Sequence, residues 1–328
     1  MKFASSLFIL QFIAIQIAAG DDKKTDSGSN LIKPVRITTD GAYKHRPAWS
    51  PDGKSLYFAR HEAGGNSIFI RVLTTDSKAE PKRLTRRKEP EYHAVISPDG
   101  KLALFTPITL SGTQGNLDIA LIPIDGSADP KTMAGDTGKL SHQDWPSWLP
   151  DSRRFIFNST HEGNQELYLG STDGSKKLTR LTQSPGQDVH PAVSPDGKFV
   201  IFTTDRWGGL ELARLDLEKN AITRITQSPG LDDYATISPD GKSFAFVSNR
   251  SGNMEIWLGD FSGHFMQLTH DDSPDLFPTF HPDGKSITYV SGHTGNTDIF
   301  QISIPTEWPD RQFSTKTGHV PKNSSPVK

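Results

Sequence analysis

One short pattern, Ser-Pro-Asp-Gly-Lys, constrains this 328-residue chain more than any other feature, because it returns at a nearly fixed interval. Full copies stand at Ser50–Lys54, Ser97–Lys101, Ser194–Lys198 and Ser238–Lys242. Worn copies stand at Leu149-Pro150-Asp151-Ser152 and at His281-Pro282-Asp283-Gly284-Lys285. Proline presets φ at the first central position of a type I turn, aspartate suits the second, and glycine takes the left-handed position that follows. One turn chemistry used six times needs one explanation, a tight connection between adjacent antiparallel strands. The turn aspartates are therefore read as structural.

The repeat extends past the turn. An alternating strand follows each copy, as in "KSLYFAR", "KFVIFTT" and "KSFAFVS". A glycine-bearing hairpin comes next ("NRSGN" at 249–253, "GHTGN" at 292–296), then a strand that opens on a polar, usually acidic residue: Ser67, Asp118, Glu166, Glu211, Glu255, Asp298. A fourth short strand closes the unit as Arg83-Leu84-Thr85, Arg180-Leu181-Thr182, Arg224-Ile225-Thr226 or Gln267-Leu268-Thr269, and has decayed to Lys131-Thr132-Met133 in the second copy. The turn prolines lie 47, 52, 45, 44 and 43 residues apart. Four short strands in that interval is the period of a propeller blade, and no stretch sustains helical periodicity. The expected fold is all-β: a six-bladed β-propeller of four-stranded antiparallel blades over residues 34–314. Val35-Arg36-Ile37-Thr38 matches the fourth-strand pattern ahead of the first blade, and is expected to complete the last blade and cover its open edge. Arg311–Ser314 competes for that place.

Residues 1–20 read as an export signal: Lys2, an apolar-rich stretch of 11 residues from Leu7 to Ile17, and Ala18-Ala19-Gly20 as a cleavage site. That stretch is too short to span ~30 Å of hydrocarbon, so no membrane span is expected. Residues 21–33 and 315–328 are polar and expected to be a disordered linker and tail. The chain has no cysteine, which excludes a lipid-anchored lipoprotein, a disulfide framework and thiolate chemistry. A formal net charge of −2 gives no electrostatic footprint for nucleic acid. The expected product is periplasmic or secreted, and a monomer.

The run Arg-Leu-Thr … Pro-x-x-Ser-Pro-Asp-Gly-Lys-x-x-x-Phe-x-Ser-x-Arg-x-Gly-x-x-x-Ile resembles the WD-like repeat of the TolB propeller family, and six copies carry the resemblance over nearly the whole expected mature chain. The resemblance implies an envelope role of the Tol–Pal kind, with a protein partner, the peptidoglycan-associated lipoprotein in the family, seated over the channel mouth. TolB carries an α/β domain ahead of its propeller; only about a dozen residues precede the first strand here, so that domain is expected to be absent. Similar repeats occur in oligogalacturonate lyases and ahead of prolyl-peptidase catalytic domains, so the fold alone leaves function open.

Positions alike in every blade build the scaffold, and positions that differ are free to serve a partner. Five residues before each turn proline stand Arg46, His93, Trp145, His190, Tyr234 and Phe277. They are expected to ring the channel mouth, either as a contact surface or as a plug of bulky side chains. Around them a polarised rim is expected, positive at Lys44, His45, Arg46, Arg86, Arg87 and Lys88, and negative at Asp188, Asp232, Asp233, Asp271, Asp272 and Asp275. The connection 134–144, with Lys139, His142 and Gln143, is the candidate adaptable loop. No Gly-x-Ser-x-Gly elbow or His-Glu-x-x-His pair is present, and no catalytic residue is assigned. The function expected is a binding module for an envelope protein or a cell-wall component, without a cofactor. The alternative is a metal-dependent polysaccharide lyase or hydrolase. His93, Gln143 (or His142) and His190 would hold a divalent metal such as manganese in the channel, a donor set that the resemblance to oligogalacturonate lyases suggests.

Overall fold

In the computed structural model of the protein, residues 32–62, 68–75, 80–111, 114–134, 141–175, 177–292 and 296–306 are described. The proposed leader, the C-terminal tail, Arg311–Ser314, Ser67 and Lys139 lie outside them. All regular structure among the described residues is strand, gathered into six antiparallel sheets that form the six blades of a propeller. Blade 4 shows the plan: Asp188–Val193 innermost, then Phe199–Thr204, Glu211–Asp216 and Ala221–Arg224, each paired with the next. Blade 2 departs from it. Its second strand, Leu102–Ser111, is prolonged and carries an extra partner, Gln114–Leu117, while Lys131–Ala134 still forms the fourth strand despite its worn sequence.

The ring closes through the N-terminal strand. Val35–Arg36 pairs antiparallel with Asp298–Ser303, so that the last blade takes its outer strand from the start of the propeller. This agrees with the reading of 35–38 as the closing segment. Lys44, fully buried at the first strand of blade 1, ties the seam from the other side with an ion pair to Asp298 at 3.0 Å, and Arg36 pairs with the same carboxylate.

The turns repay the sequence pattern in hydrogen bonds. In the blade 5 turn, Ser238 Oγ donates to Asp240 (2.7 Å), and the amide of Lys242 donates to Asp240 (3.1 Å). Gly241 holds φ at 71°, and the worn copy puts Ser152 into the same region at 56°. The turn aspartates are thus spent on local geometry. Six apolar clusters, one at each junction between neighbouring blades, form the core. The largest include Ala245, Ile256, Ile287 and Tyr289 between blades 5 and 6, and the smallest holds Leu56, Phe58, Val290 and Ile299 at the closing seam.

Candidate functional site: the channel mouth and the blade junctions

Each innermost strand breaks register at one point, for instance between His45 and Ala48, Asp144 and Ser147, and Leu276 and Thr279. The six ring residues sit at these bulges. Arg46, His93, Trp145, His190, Tyr234 and Phe277 have φ of 54°, 36°, 59°, 54°, 54° and 55°. Left-handed backbone is unfavourable for L-residues, and a bulge re-aims a side chain out of the strand's alternation. Here it turns one side chain per blade toward the axis.

The six converge on Trp145. Its ring lies 4.5 Å from His93, 4.3 Å from His190, 5.2 Å from Tyr234 and 6.1 Å from Phe277, and the Arg46 guanidinium stands over it at 4.1 Å. His190–Tyr234 (4.6 Å) and Tyr234–Phe277 (4.8 Å) complete the stack. Trp145 is only 9% exposed, so the mouth is filled. Residues one position earlier in the same strands brace this plug. Asp144 pairs with Arg46 (3.2 Å) and accepts from Thr106 (2.8 Å), and Asp233 accepts from Thr203 (2.6 Å) and faces His190 Nδ1 (2.6 Å). Burial and the neighbouring Arg46 charge push His93 down to about 3, so that this imidazole is neutral. Burial raises the Asp144 carboxyl, but Arg46 and its other partners outweigh this and leave it below the usual range.

His93, Gln143 and His190, the alternative metal donors, each have other neighbours. Trp145 packs against both imidazoles, and His190 Nδ1 is taken by Asp233. The Gln143 amide lies 2.6 Å from Ser141 Oγ and can donate to Leu117 O (3.0 Å) and Asp118 (3.2 Å), at the junction of blades 2 and 3. His142 Nδ1 is used by the amide of Leu117 at 3.4 Å. Among the described residues no three His, Cys, Asp or Glu side chains stand where they could share a metal ion.

The charged rim also differs from the sequence expectation. Asp188, Asp232 and Asp275 are fully enclosed, Asp233 belongs to the plug, Lys44 to the closing seam, and Arg46 to the stack. His45 is packed among His61, Tyr92 and Phe277, and its burial holds it well below the ordinary histidine range. Arg86 and Lys88 are exposed, while Arg87 is half-buried beside Glu89 (3.4 Å) and Glu91 (3.9 Å).

The carboxylates instead serve the blade junctions. At blades 3 and 4, Glu166 opens the third strand and pairs with Arg180 (3.1 Å), while Asp188 opens the next inner strand and pairs with Arg206. At blades 4 and 5, Glu211 pairs with Arg224 (2.8 Å), and Asp232 takes both oxygens to Arg250 (2.9 Å each). At these two junctions the threonine of the Arg-x-Thr segment donates to the same third-strand acid: Thr182 to Glu166 (2.7 Å) and Thr226 to Glu211 (2.9 Å). The arginine also donates through Nε to the carbonyl of that threonine at 2.8 Å in both. This latch explains why Arg-x-Thr and a third-strand glutamate occur together in blades 3 and 4. The sequence carried the signal as co-occurrence within those repeats.

At blades 5 and 6 the same latch has its acids and lacks its arginines. Gln267 stands where Arg180 and Arg224 stand, and its amide still donates to the Thr269 carbonyl at 2.8 Å. Thr269 still donates to Glu255 (2.6 Å). No arginine pairs with Glu255 or Asp275 among the described residues. Burial, with repulsion from Asp271 and Asp272, pushes the Glu255 carboxyl up to about 7; burial, with Asp271 and Glu255, pushes Asp275 up to about 8. An open groove of about 540 Å³ lies there, lined by Asn253, Glu255, Gln267, His270, Asp271 and Asp272 among others.

Fold and site together define a six-bladed β-propeller with a plugged axis and ion-paired blade junctions. Its repeats resemble those of the TolB propeller family. Residues 137–238 match the family model described as the TolB beta propeller domain. A protein TolB homolog of Chlorobium luteolum is 28% identical over 165 residues, which cover 50% of this chain and 35% of that protein. The matched part thus spans about a third of that relative's length. The structure of putative TolB from Agrobacterium tumefaciens superposes with a TM-score of 0.61 at 24% identity, covering 81% of this chain and 91% of that one. An oligogalacturonate lyase in complex with manganese superposes with a TM-score of 0.58 at 13% identity, over 87% of this chain and 96% of the lyase. At these identities the superpositions speak to the fold.

Proposed function

We propose that this chain is an exported, TolB-like propeller that binds another envelope protein or a cell-wall component through the face bearing the channel mouth. The observation that carries the reading is the plug around Trp145: a mouth packed shut by stacked side chains offers a surface and not a chamber. Arg86 and Lys88 add exposed positive charge. The similarity to TolB homologs supports an envelope setting, periplasmic or secreted, consistent with the Lys2-to-Gly20 leader pattern. Among the described residues no helix is long and apolar enough to cross a membrane.

The test is titration of the purified chain with the soluble domain of a peptidoglycan-associated lipoprotein and with purified sacculi. Binding to one of them, weakened by Arg86→Glu with Lys88→Glu and more so at low salt, is the expected result, since exposed charges act over ~10 Å at 0.1 M ionic strength. Absence of binding to both overturns the reading. So does stoichiometric manganese or zinc in the wild type that disappears with His93→Ala and His190→Ala, which would favour the channel metalloenzyme.

A further inference from the structure

The latch comparison isolates one substitution pattern. Gln267 keeps the structural half of its arginine counterparts, the bond to the carbonyl two residues on, and removes only the charge. The hairpin arginine is replaced as well. Arg206 and Arg250 follow Thr204-Asp205 and Ser248-Asn249, and the matching triplet in blade 6 reads Ser291-Gly292-His293. Two acids whose counterparts at blades 3–4 and 4–5 meet two guanidinium groups are therefore left without either.

Asp275 shows the consequence. It is 0% exposed, and neither carboxyl oxygen has a donor in hydrogen-bonding geometry among the described residues, although the Thr269 and Ser291 hydroxyls stand beside it. Buried polar groups are ordinarily satisfied, and a carboxylate without a partner is costly. Its counterparts Asp188 and Asp232 are equally enclosed, and each is reached by an arginine that stays partly open to solvent, at 19% and 15% exposure. Glu255 lines the groove, and Asp275 stands within electrostatic reach of Glu255 and Asp271.

We propose that the groove between blades 5 and 6 is a receptor site for an arginine side chain of a partner polypeptide, which completes in trans the latch that the junctions of blades 3–4 and 4–5 complete in cis. Glu255 and Asp275 would receive the guanidinium, the planar five-donor group that their counterparts already bind. The Asn253 side chain, which donates to the Asp271 carbonyl at 3.1 Å, and Gln267 flank the entry. The argument stands on the junction and not on the envelope reading, so either can fail alone.

The test uses the full chain and three probes at neutral pH: acetyl-Gly-Arg-Gly-amide, its citrulline counterpart, which keeps the shape and loses the charge, and calcium. The side-chain amide signals of Asn253 and Gln267 are followed by NMR. The arginine peptide is expected to shift both and to saturate at millimolar concentration, an affinity of roughly 4 kcal/mol that suits a single side chain. The citrulline peptide should bind at least tenfold more weakly. Glu255→Gln with Asp275→Asn should abolish the response of the Asn253 amide. Gln267→Arg should abolish it too while raising the melting temperature, because it supplies one of the missing charges in cis. Equal binding of the citrulline peptide overturns the proposal. So does arginine binding that survives both variants, or calcium that saturates the site while the arginine peptide leaves it unmoved.

Discussion

At the junction of blades 4 and 5, Glu211 and Asp232 meet Arg224 and Arg250; at the junction of blades 5 and 6, Gln267 takes the place of Arg224, and the sequence has His293 at the position of Arg250. The backbone is the same in both. Inner strands begin at Asp232 and Asp275, third strands at Glu211 and Glu255, and the threonine bonds match at 2.9 and 2.6 Å. What differs beneath is the apolar packing. Ten buried residues join blades 5 and 6, including Tyr289 and Phe300, against seven between blades 4 and 5. Ion pairs at enclosed sites contribute little net stability beside well-packed apolar residues. Blades 5 and 6 can therefore adhere without arginines, and their carboxylates are not consumed by the fold.

The largest effect should come from making the closed junction resemble the open one. Arg250→Met keeps an apolar stem among Phe246, Trp257 and Phe265, whose rings lie 4.9 to 5.2 Å from the guanidinium carbon, and leaves Asp232 enclosed with Ser228 at 3.1 Å. Breaking an enclosed pair in this way costs about 3 kcal/mol or more. Urea denaturation measures it. A loss below about 1 kcal/mol, the level of an exposed pair, would show that Arg250 does not balance Asp232.

The second effect is a pH dependence that is largest at the open junction, although burial also raises the Asp188 and Glu91 carboxyls. Asp275 and Glu255 both titrate above their ordinary ranges, at about 8 and about 7. A raised carboxyl favours the folded state while protonated. That contribution is complete below the unfolded value near 4 and is lost as pH rises through 7 and 8. Among the described residues, the groups that face this pair are Asp271, Asp272 and His270 from the connecting loop, and Tyr289 from the second strand of blade 6, whose phenol is itself pushed up by burial and Asp275. Asp275→Asn removes the main titrating charge. Its melting temperature should match the wild type at pH 4.5 and exceed it by several degrees at pH 8.5. Parallel curves for the two proteins across that range would contradict the assignment.

Much of this was legible in the chain because a repeat prints its own alignment. The turn at Ser238–Lys242, the glycine at 241 and the closing segment at 35–36 each follow from local chemistry applied six times. The ring residues were legible as positions, five before each proline, but their packing was not. Only the left-handed bulge at Trp145 and its five counterparts turns them onto one another. The acids were misplaced for a related reason. Asp188 and Asp232 look like solvated loop charges until folding delivers Arg206 and Arg250, each 18 residues further along, to the same point. A charge run read along the sequence does not show which charges will be enclosed, whereas the exchange of Arg for Gln at 267 was visible in the aligned repeats and needed the structure to acquire a meaning.

The smallest effect tests whether the two junctions differ in charge alone. Gly241 and Gly284 occupy the same turn position with φ of 71° in each, and a Cβ on either would meet only the proline of the preceding blade's turn, Pro195 at 3.8 Å and Pro239 at 3.9 Å. Both separations are ordinary van der Waals contacts, so alanine meets no clash and only the left-handed backbone opposes it. That conformation costs an L-residue about 1 kcal/mol relative to glycine. Gly241→Ala and Gly284→Ala should each lower stability by that amount, equally, with the arginine-peptide response of the Asn253 amide unchanged in both. Equal costs would mean that the blade template is the same on the two sides, leaving the missing arginines as the difference that matters. If Gly284→Ala were much more damaging than Gly241→Ala, the blade 5–6 junction would be strained in its backbone, and its enclosed carboxylates could no longer be read as the equals of Glu211 and Asp232.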